Sequence, residues 1–211
     1  EFCDTMDEGA SRESAKQLAN VLKEVGREPQ LRFEMKLDFT SKDTLEMHSS
    51  VVVKGGKAFL FLGKSGAGKS THSRMWLEHL QDCELMNDDN PIIRVGEDGT
   101  VTAYGSPWSG KTPCYKNKQV PVGAIIQIRR CSHNELVRQN IVEAYAALLM
   151  SCSGLKFREE SVDQLSATQS KLLATVPFYF MDCLPNADAA RVCYTDLPIL
   201  GTGHRTFDDL S

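Results

Sequence analysis

The run Gly63-Lys64-Ser65-Gly66-Ala67-Gly68-Lys69-Ser70-Thr71 has the make-up of an anion cradle. Its glycines let the backbone curl so that successive N–H groups point inward at an anion, an approach that a Cβ would obstruct. The form G-x-x-x-x-G-K-[ST] adds a lysine that can reach the β- and γ-phosphates of a nucleotide and a hydroxyl, Ser70, that can ligate Mg²⁺. Further along, Asn87-Asp88-Asp89-Asn90 supplies two adjacent carboxylates. One could bind Mg²⁺ while the other accepts a proton from an attacking hydroxyl. Neighbouring side chains on an extended segment point to opposite faces, so only one of the two is expected to face a metal. An Asx-rich turn between two strands is the plainer reading of the same string.

Three weaker candidates surround these. His48, in Met47-His48-Ser49-Ser50, precedes the cradle, and a histidine at a strand edge is by spacing alone more often structural than catalytic. The segment from Gly105 to Lys111 either links two strands or forms an acceptor-binding lid, with Ser106 in the loop, Trp108 covering the site and Lys111 near phosphate. Arg129 and Arg130 could neutralise a transferring phosphate, although a solvated pair is the commoner origin of such charges.

The elements that must position these groups can be read from periodicity. Val51-Val52-Val53 and the run Ala58 to Leu62 flank Lys54-Gly55-Gly56-Lys57, which predicts a hairpin with a tight primed turn feeding the cradle. A helix follows from about Lys69 to Leu80 with Met75, Trp76, Leu77 and Leu80 inward, then a short strand from Cys83 to Met86. Ile92 to Val95 and Thr100 to Tyr104 flank Gly96-Glu97-Asp98-Gly99 as a second hairpin, and the β-branched run Val122 to Ile128 predicts a central strand. Ser132-His133-Asn134-Glu135 matches a capping box and predicts a helix continuing to about Ser151. A further helix is expected over Val162 to Thr175, a buried strand over Phe178 to Cys183, and a last helix over Asn186 to Tyr194. Residues 1–44 carry an amphipathic helix over Ser11 to Val25 and an alternation over Leu31 to Phe39 that favours a strand, although Leu31, Met35 and Phe39 also fit one helix face, and residues 201–211 read as a mobile tail without periodicity. The predicted class is α/β with a mixed sheet flanked by helices, and residues 45–200 form the nucleotide-binding domain.

Composition narrows the function classes. At 211 residues the chain can bury a sizeable core without staples. The seven cysteines are scattered, with no C-x-x-C pair, so neither a disulfide framework nor a zinc site is expected and a reducing cytoplasm is the natural setting. A formal net charge of −4 argues against a nucleic-acid partner, and no stretch is apolar enough for a membrane span. The amino end, Glu1-Phe2-Cys3-Asp4, lacks the layout of a signal peptide.

Taken together, His48, the loop Gly63 to Ser70, Asp88-Asp89 and the Gly105 loop resemble the catalytic domain of HPr kinase/phosphorylase and small phosphoenolpyruvate-carboxykinase-like P-loop proteins. The strings His48 to Ser50, Gly68 to Arg74, Asn87 to Pro91 and Gly105 to Thr112 carry the resemblance, which spans roughly residues 45 to 200. It implies a carboxykinase-type nucleotide fold, His48 beside the transferred phosphate, and Asp88 or Asp89 as base toward a protein serine. The family's Glu-Ile-Arg-Gly-like segment is replaced here by Ala103-Tyr104-Gly105-Ser106, so HPr itself is not the implied acceptor. The expected activity is ATP- (or GTP-) and Mg²⁺-dependent phosphoryl transfer to a hydroxyl, on a protein serine or a small molecule. Carboxykinase chemistry and a non-catalytic nucleotide-binding module are the alternatives, and a homo-oligomer is compatible with all three.

Overall fold

The computed structural model describes residues 43–110, 113–114, 116–153 and 159–198. The expected helix over Ser11 to Val25, the strand over Leu31 to Phe39 and the tail 201–211 lie outside these residues, as does Lys111. Among the described residues, ten strands form one mixed sheet and four helices flank it. The strands are β1 (Thr44–Met47), β2 (Ser49–Lys54), β3 (Lys57–Leu62), β4 (Cys83–Asp89), β5 (Ile92–Val95), β6 (Val101–Tyr104), β7 (Gln119–Arg130), β8 (Glu135–Arg138), β9 (Cys152–Ser153) and β10 (Phe178–Cys183). The helices are α1 (Lys69–His79), α2 (Ile141–Ser151), α3 (Glu159–Thr175) and α4 (Ala187–Thr195).

The long strand β7 joins two wings. Along its first residues it pairs antiparallel with β6, which leads through β5 and β1 to β9. Further along it pairs parallel with β3 and with β10. Antiparallel β2 lies between β3 and β4, and β8 covers the outer edge of β10. The turn between β2 and β3 holds Gly55 at φ 55° and Gly56 at φ 72°, the paired left-handed conformation that a two-residue primed turn requires.

Alternation along the strands splits the core between the two faces. Val52, Phe59, Phe61, Ala124 and Ile126 pack with Met75 and Trp76 of α1 and Ala190 and Cys193 of α4. Val51, Val53, Leu60, Leu62 and Ile125 pack on the opposite face with Leu148 of α2 and Leu172 of α3. Both faces are covered, which is why β2, β3 and β7 read as continuous apolar runs rather than alternating ones. Trp76 is the hinge of the first cluster: its ring lies 5.0 Å from Phe59, 5.2 Å from Phe61 and 5.6 Å from Tyr194, centroid to centroid. Leu77, expected inward, is instead one of the exposed large side chains of α1. The buried stripe is His72, Ser73, Met75 and Trp76, and the next position turns away from it.

Two further expectations are corrected. Ser132 to Glu135 does not start a helix. Glu135–Arg138 is strand β8, antiparallel to β10, and α2 begins only at Ile141, where the Asn140 side chain accepts from the backbone N–H groups of Val142 and Glu143. The local capping signature loses to a non-local demand, because the edge of β10 would otherwise carry unpaired backbone groups. The strand at Cys83 also does not stop at Met86. It continues through Asp89, so the acidic pair stands on a strand end rather than in a turn.

Candidate active site

The cradle follows β3 directly. Gly63, Gly66 and Gly68 have φ of 149°, 79° and 110°, and a Cβ at Gly63 would stand 2.9 Å from the Ala67 Cβ. Gly68 is the N-cap of α1, so no side chain caps the helix start, and no acidic residue occupies its first turn. By contrast, α2 and α4 are both capped by asparagine side chains. An uncapped start leaves backbone N–H groups and the positive end of the helix dipole available to an external anion. Ser70 and the flanking Lys64 and Ser65 are exposed, while Lys69 and Thr71 are half-buried.

Lys69 reaches back over the loop. Its ammonium donates to the Gly63 carbonyl at 2.8 Å and contacts His48 Nε2 at 2.9 Å. His48 Nδ1 in turn lies 3.2 Å from Asp89 Oδ1. An ammonium can only donate, so His48 accepts at Nε2 and carries its proton on Nδ1, the nitrogen nearest Asp89. Burial lowers the pKa of Lys69, against the opposing pull of Asp89 and then Asp88. The structure therefore brings His48, Lys69, Asp88 and Asp89 to one place.

His48 stands between β1 and β2, where the chain passes from one wing to the other, and its backbone N–H is held by the Ser151 carbonyl at 2.8 Å. The acidic pair is set by a bulge. The β2–β4 register shifts between Val51 and Val52, with Val51 opposite Asn87 and Val52 opposite Leu85, so Met86 is the extra residue. Such a bulge re-aims the side chains that follow it. Asp88 is buried, and its Oδ2 has no hydrogen-bond partner among the described residues.

The Gly105 loop docks on the same strand end. The Asn87 side-chain amide donates to the Ser106 hydroxyl at 3.0 Å and to the Trp108 carbonyl at 3.1 Å, and the Gly110 N–H donates to the Asp88 carbonyl at 3.0 Å. A Cβ at Gly110 would meet that carbonyl at 2.5 Å. Ser106 and Trp108 are thus buried anchors of the loop rather than a movable cover over the site. Asn87, which sequence reasoning treated as part of a turn, is the residue that fixes it.

Arg129 and Arg130 separate. Arg129 makes a two-pronged pair with Asp182 at 2.7 and 2.8 Å and stacks over Phe180, which occupies it structurally. Arg130 lines a cavity of about 400 Å³ beside the helix start, between Gly68, Thr71 and Met75 on one side and Ile128 and Leu184 on the other. Its size and apolar walls suit a nucleoside. Glu46 was missed by the sequence reading. Burial and then the nearby Asp89 raise its pKa, with His48 opposing, so a third carboxyl group sits in the field of the site. Its i, i+2 spacing from His48 is the signal that could have found it.

Beneath the cradle, His72 accepts the Trp76 indole N–H at 3.1 Å and lies edge-on to Phe61, and burial pushes its pKa down to about 4. Between the ordinary histidine value and this one the unfolded chain binds the proton and the folded chain does not, so stability falls as pH falls through that window. From pH 6.5 to pH 5 the expected loss from His72 is about 1.5 kcal/mol. Urea unfolding at the two pH values should show this slope in the wild type, and a His72→Gln variant should lack it.

Among the described residues, no helix is long and apolar enough to cross a membrane. No protein-family model matches the chain, and no curated protein matches it.

Proposed function

We propose that the chain transfers the terminal phosphoryl group of a nucleoside triphosphate, ATP or GTP, to a hydroxyl acceptor on a protein serine or a small molecule, in the manner of HPr kinase. The observation that carries this reading is the convergence of Lys69, His48 and Asp89, linked by contacts of 2.9 and 3.2 Å, at a helix start that no side chain caps. A hydrolytic switch needs the cradle and a metal; the added histidine–carboxylate pair supports proton removal from an attacking group. The loop amides and Lys69 would receive the phosphates, and the cavity beside Thr71 and Met75 would take the nucleoside.

The residues present fit Mg²⁺. The orphaned Asp88 oxygen and the Ser70 hydroxyl are hard oxygen donors of the kind that cation prefers. Mg²⁺ would supply charge neutralisation on the phosphates. Once Lys69 turns from His48 Nε2 to the phosphates, that nitrogen would be free to take the acceptor proton, with Asp89 on the Nδ1 side stabilising the imidazolium that results.

Incubating the purified chain with γ-labelled ATP, Mg²⁺ and a panel of serine-containing proteins and small hydroxyl compounds tests the reading. Label transferred to an acceptor is the expected result. Tight nucleotide binding with neither transfer nor hydrolysis would overturn it and leave a non-catalytic nucleotide-binding module.

A further inference from the structure

We propose a second cation site, at the rim of the cavity beside the helix start, in which Cys131, which also lines that cavity, His133 and Asp182 hold a borderline-soft divalent metal of the Zn²⁺ class. One sulfur, one imidazole nitrogen and one carboxylate oxygen from these residues all lie within 4.8 Å of one another. They come from different elements. Cys131 follows the end of β7, Asp182 is on the neighbouring strand β10, and His133 is in the turn leading to β8.

The geometry of each ligand suits this role. Cys131 Sγ and His133 Nδ1 are 3.3 Å apart. Two ligands at ordinary Zn–S and Zn–N bond lengths with a tetrahedral angle stand about 3.5 Å apart. His133 Nε2 faces Glu135 Oε2 at 3.4 Å, so its proton is drawn to that side and the Nδ1 lone pair is left toward the sulfur. A modest approach of Glu135 to the ring nitrogen would complete the carboxylate–histidine–metal arrangement that orients such ligands. The turn itself is held in place: Asn134 accepts from the Leu184 N–H at 2.9 Å and donates to Asp188 at 2.8 Å, and the Cys131 N–H donates to the Cys183 carbonyl at 3.2 Å.

Asp182 is already bound by Arg129 through both oxygens. Each carboxylate oxygen carries two lone pairs, so the guanidinium orients the group without exhausting it. One thiolate and one carboxylate facing the cation, with Glu135 behind the imidazole, outweigh the single positive charge of Arg129. Thiolate and imidazole select Zn²⁺ over Mg²⁺, so the two cation sites differ by ligand softness. Binding displaces the Cys131 thiol proton to solvent, and water completes the fourth position.

Metal-stripped full-length protein titrated with Co²⁺ in excess Mg²⁺ tests the site. One equivalent should bind with a thiolate-to-cobalt charge-transfer band, and Zn²⁺ should displace it. Cys131→Ser should abolish the band, and His133→Ala should weaken Zn²⁺ binding by about 100-fold or more, while Glu135→Gln should weaken it by about 10-fold. Cys83→Ser, far from the cluster, should bind as the wild type does. His133 is exposed, so its variant is not expected to perturb folding, which circular dichroism would check. Absence of the thiolate band at saturating Co²⁺ overturns the proposal, as does wild-type affinity in either the Cys131 or the His133 variant.

Discussion

Replacing Lys69 with methionine is expected to lower the rate of phosphoryl transfer by about 10³-fold, the scale of loss when a preorganised charge is removed from a transition state. Methionine keeps an unbranched apolar stem of similar reach and removes only the ammonium. That ammonium is held beside the cradle by the Gly63 carbonyl, and exchanging its His48 contact for phosphate oxygens would meet developing negative charge and free the imidazole. Burial lowers its pKa, and Asp89 and then Asp88 partly oppose that pull. Nucleotide affinity should fall far less than the transfer rate, because the loop amides and the uncapped start of α1 remain. Single-turnover transfer from labelled ATP, set beside an equilibrium dissociation constant, separates the two quantities. A variant that transfers at the wild-type rate would remove Lys69 from this role.

The two aspartates should fail differently. Asp89→Asn is expected to reduce transfer by about 10²- to 10⁴-fold, the range for general acid–base groups, with nucleotide binding nearly unchanged. The amide can no longer stabilise an imidazolium at His48, 3.2 Å away, and it can reverse the tautomer. His48→Gln should cost a similar factor, and the double variant little more, because paired groups acting as one unit are not additive. Asp88→Asn should instead raise the Mg²⁺ concentration needed for half-maximal rate, since the affected oxygen is the buried one without a partner. Mg²⁺ titrations of the rate in both variants distinguish the roles. Full activity in both would show that neither aspartate carries the chemistry.

How much of this was legible in the sequence depended on whether the signal was local. The cradle, the Gly55-Gly56 hairpin and α1 depend on residues close together in the chain, and each is where its pattern indicated. The α/β mixed sheet also followed, since the apolar runs of β2, β3 and β7 need covering on both faces. Strand β8 was not legible, because its capping-box residues satisfy a helix rule while the reason for a strand lies on β10. Nor was the bulge at Met86, which exists only as a register between β2 and β4. Asp88 and Asp89 stood out in the sequence, but that Asp88 is buried while Asp89 faces His48 did not, since this depends on that bulge. Asn87 and Glu46 were passed over for a related reason: an amide that fastens a loop and a carboxyl drawn into a charged site look ordinary until their neighbours are known.

The position of His48 at the crossing between the two wings has a consequence for the order in which capabilities arise during folding. The cradle joins the β2–β3 hairpin to α1, neighbours in the chain whose contacts can form early, although β3 also pairs with β7. The histidine's setting depends on the Ser151 carbonyl, contributed from a distant part of the chain, and on Asp89. Under the proposed function, a molecule with only the near contacts formed would present its phosphate cradle before it presented its base. Such an intermediate could hold a nucleotide without spending it, and chemical competence would serve as a marker of completed long-range pairing.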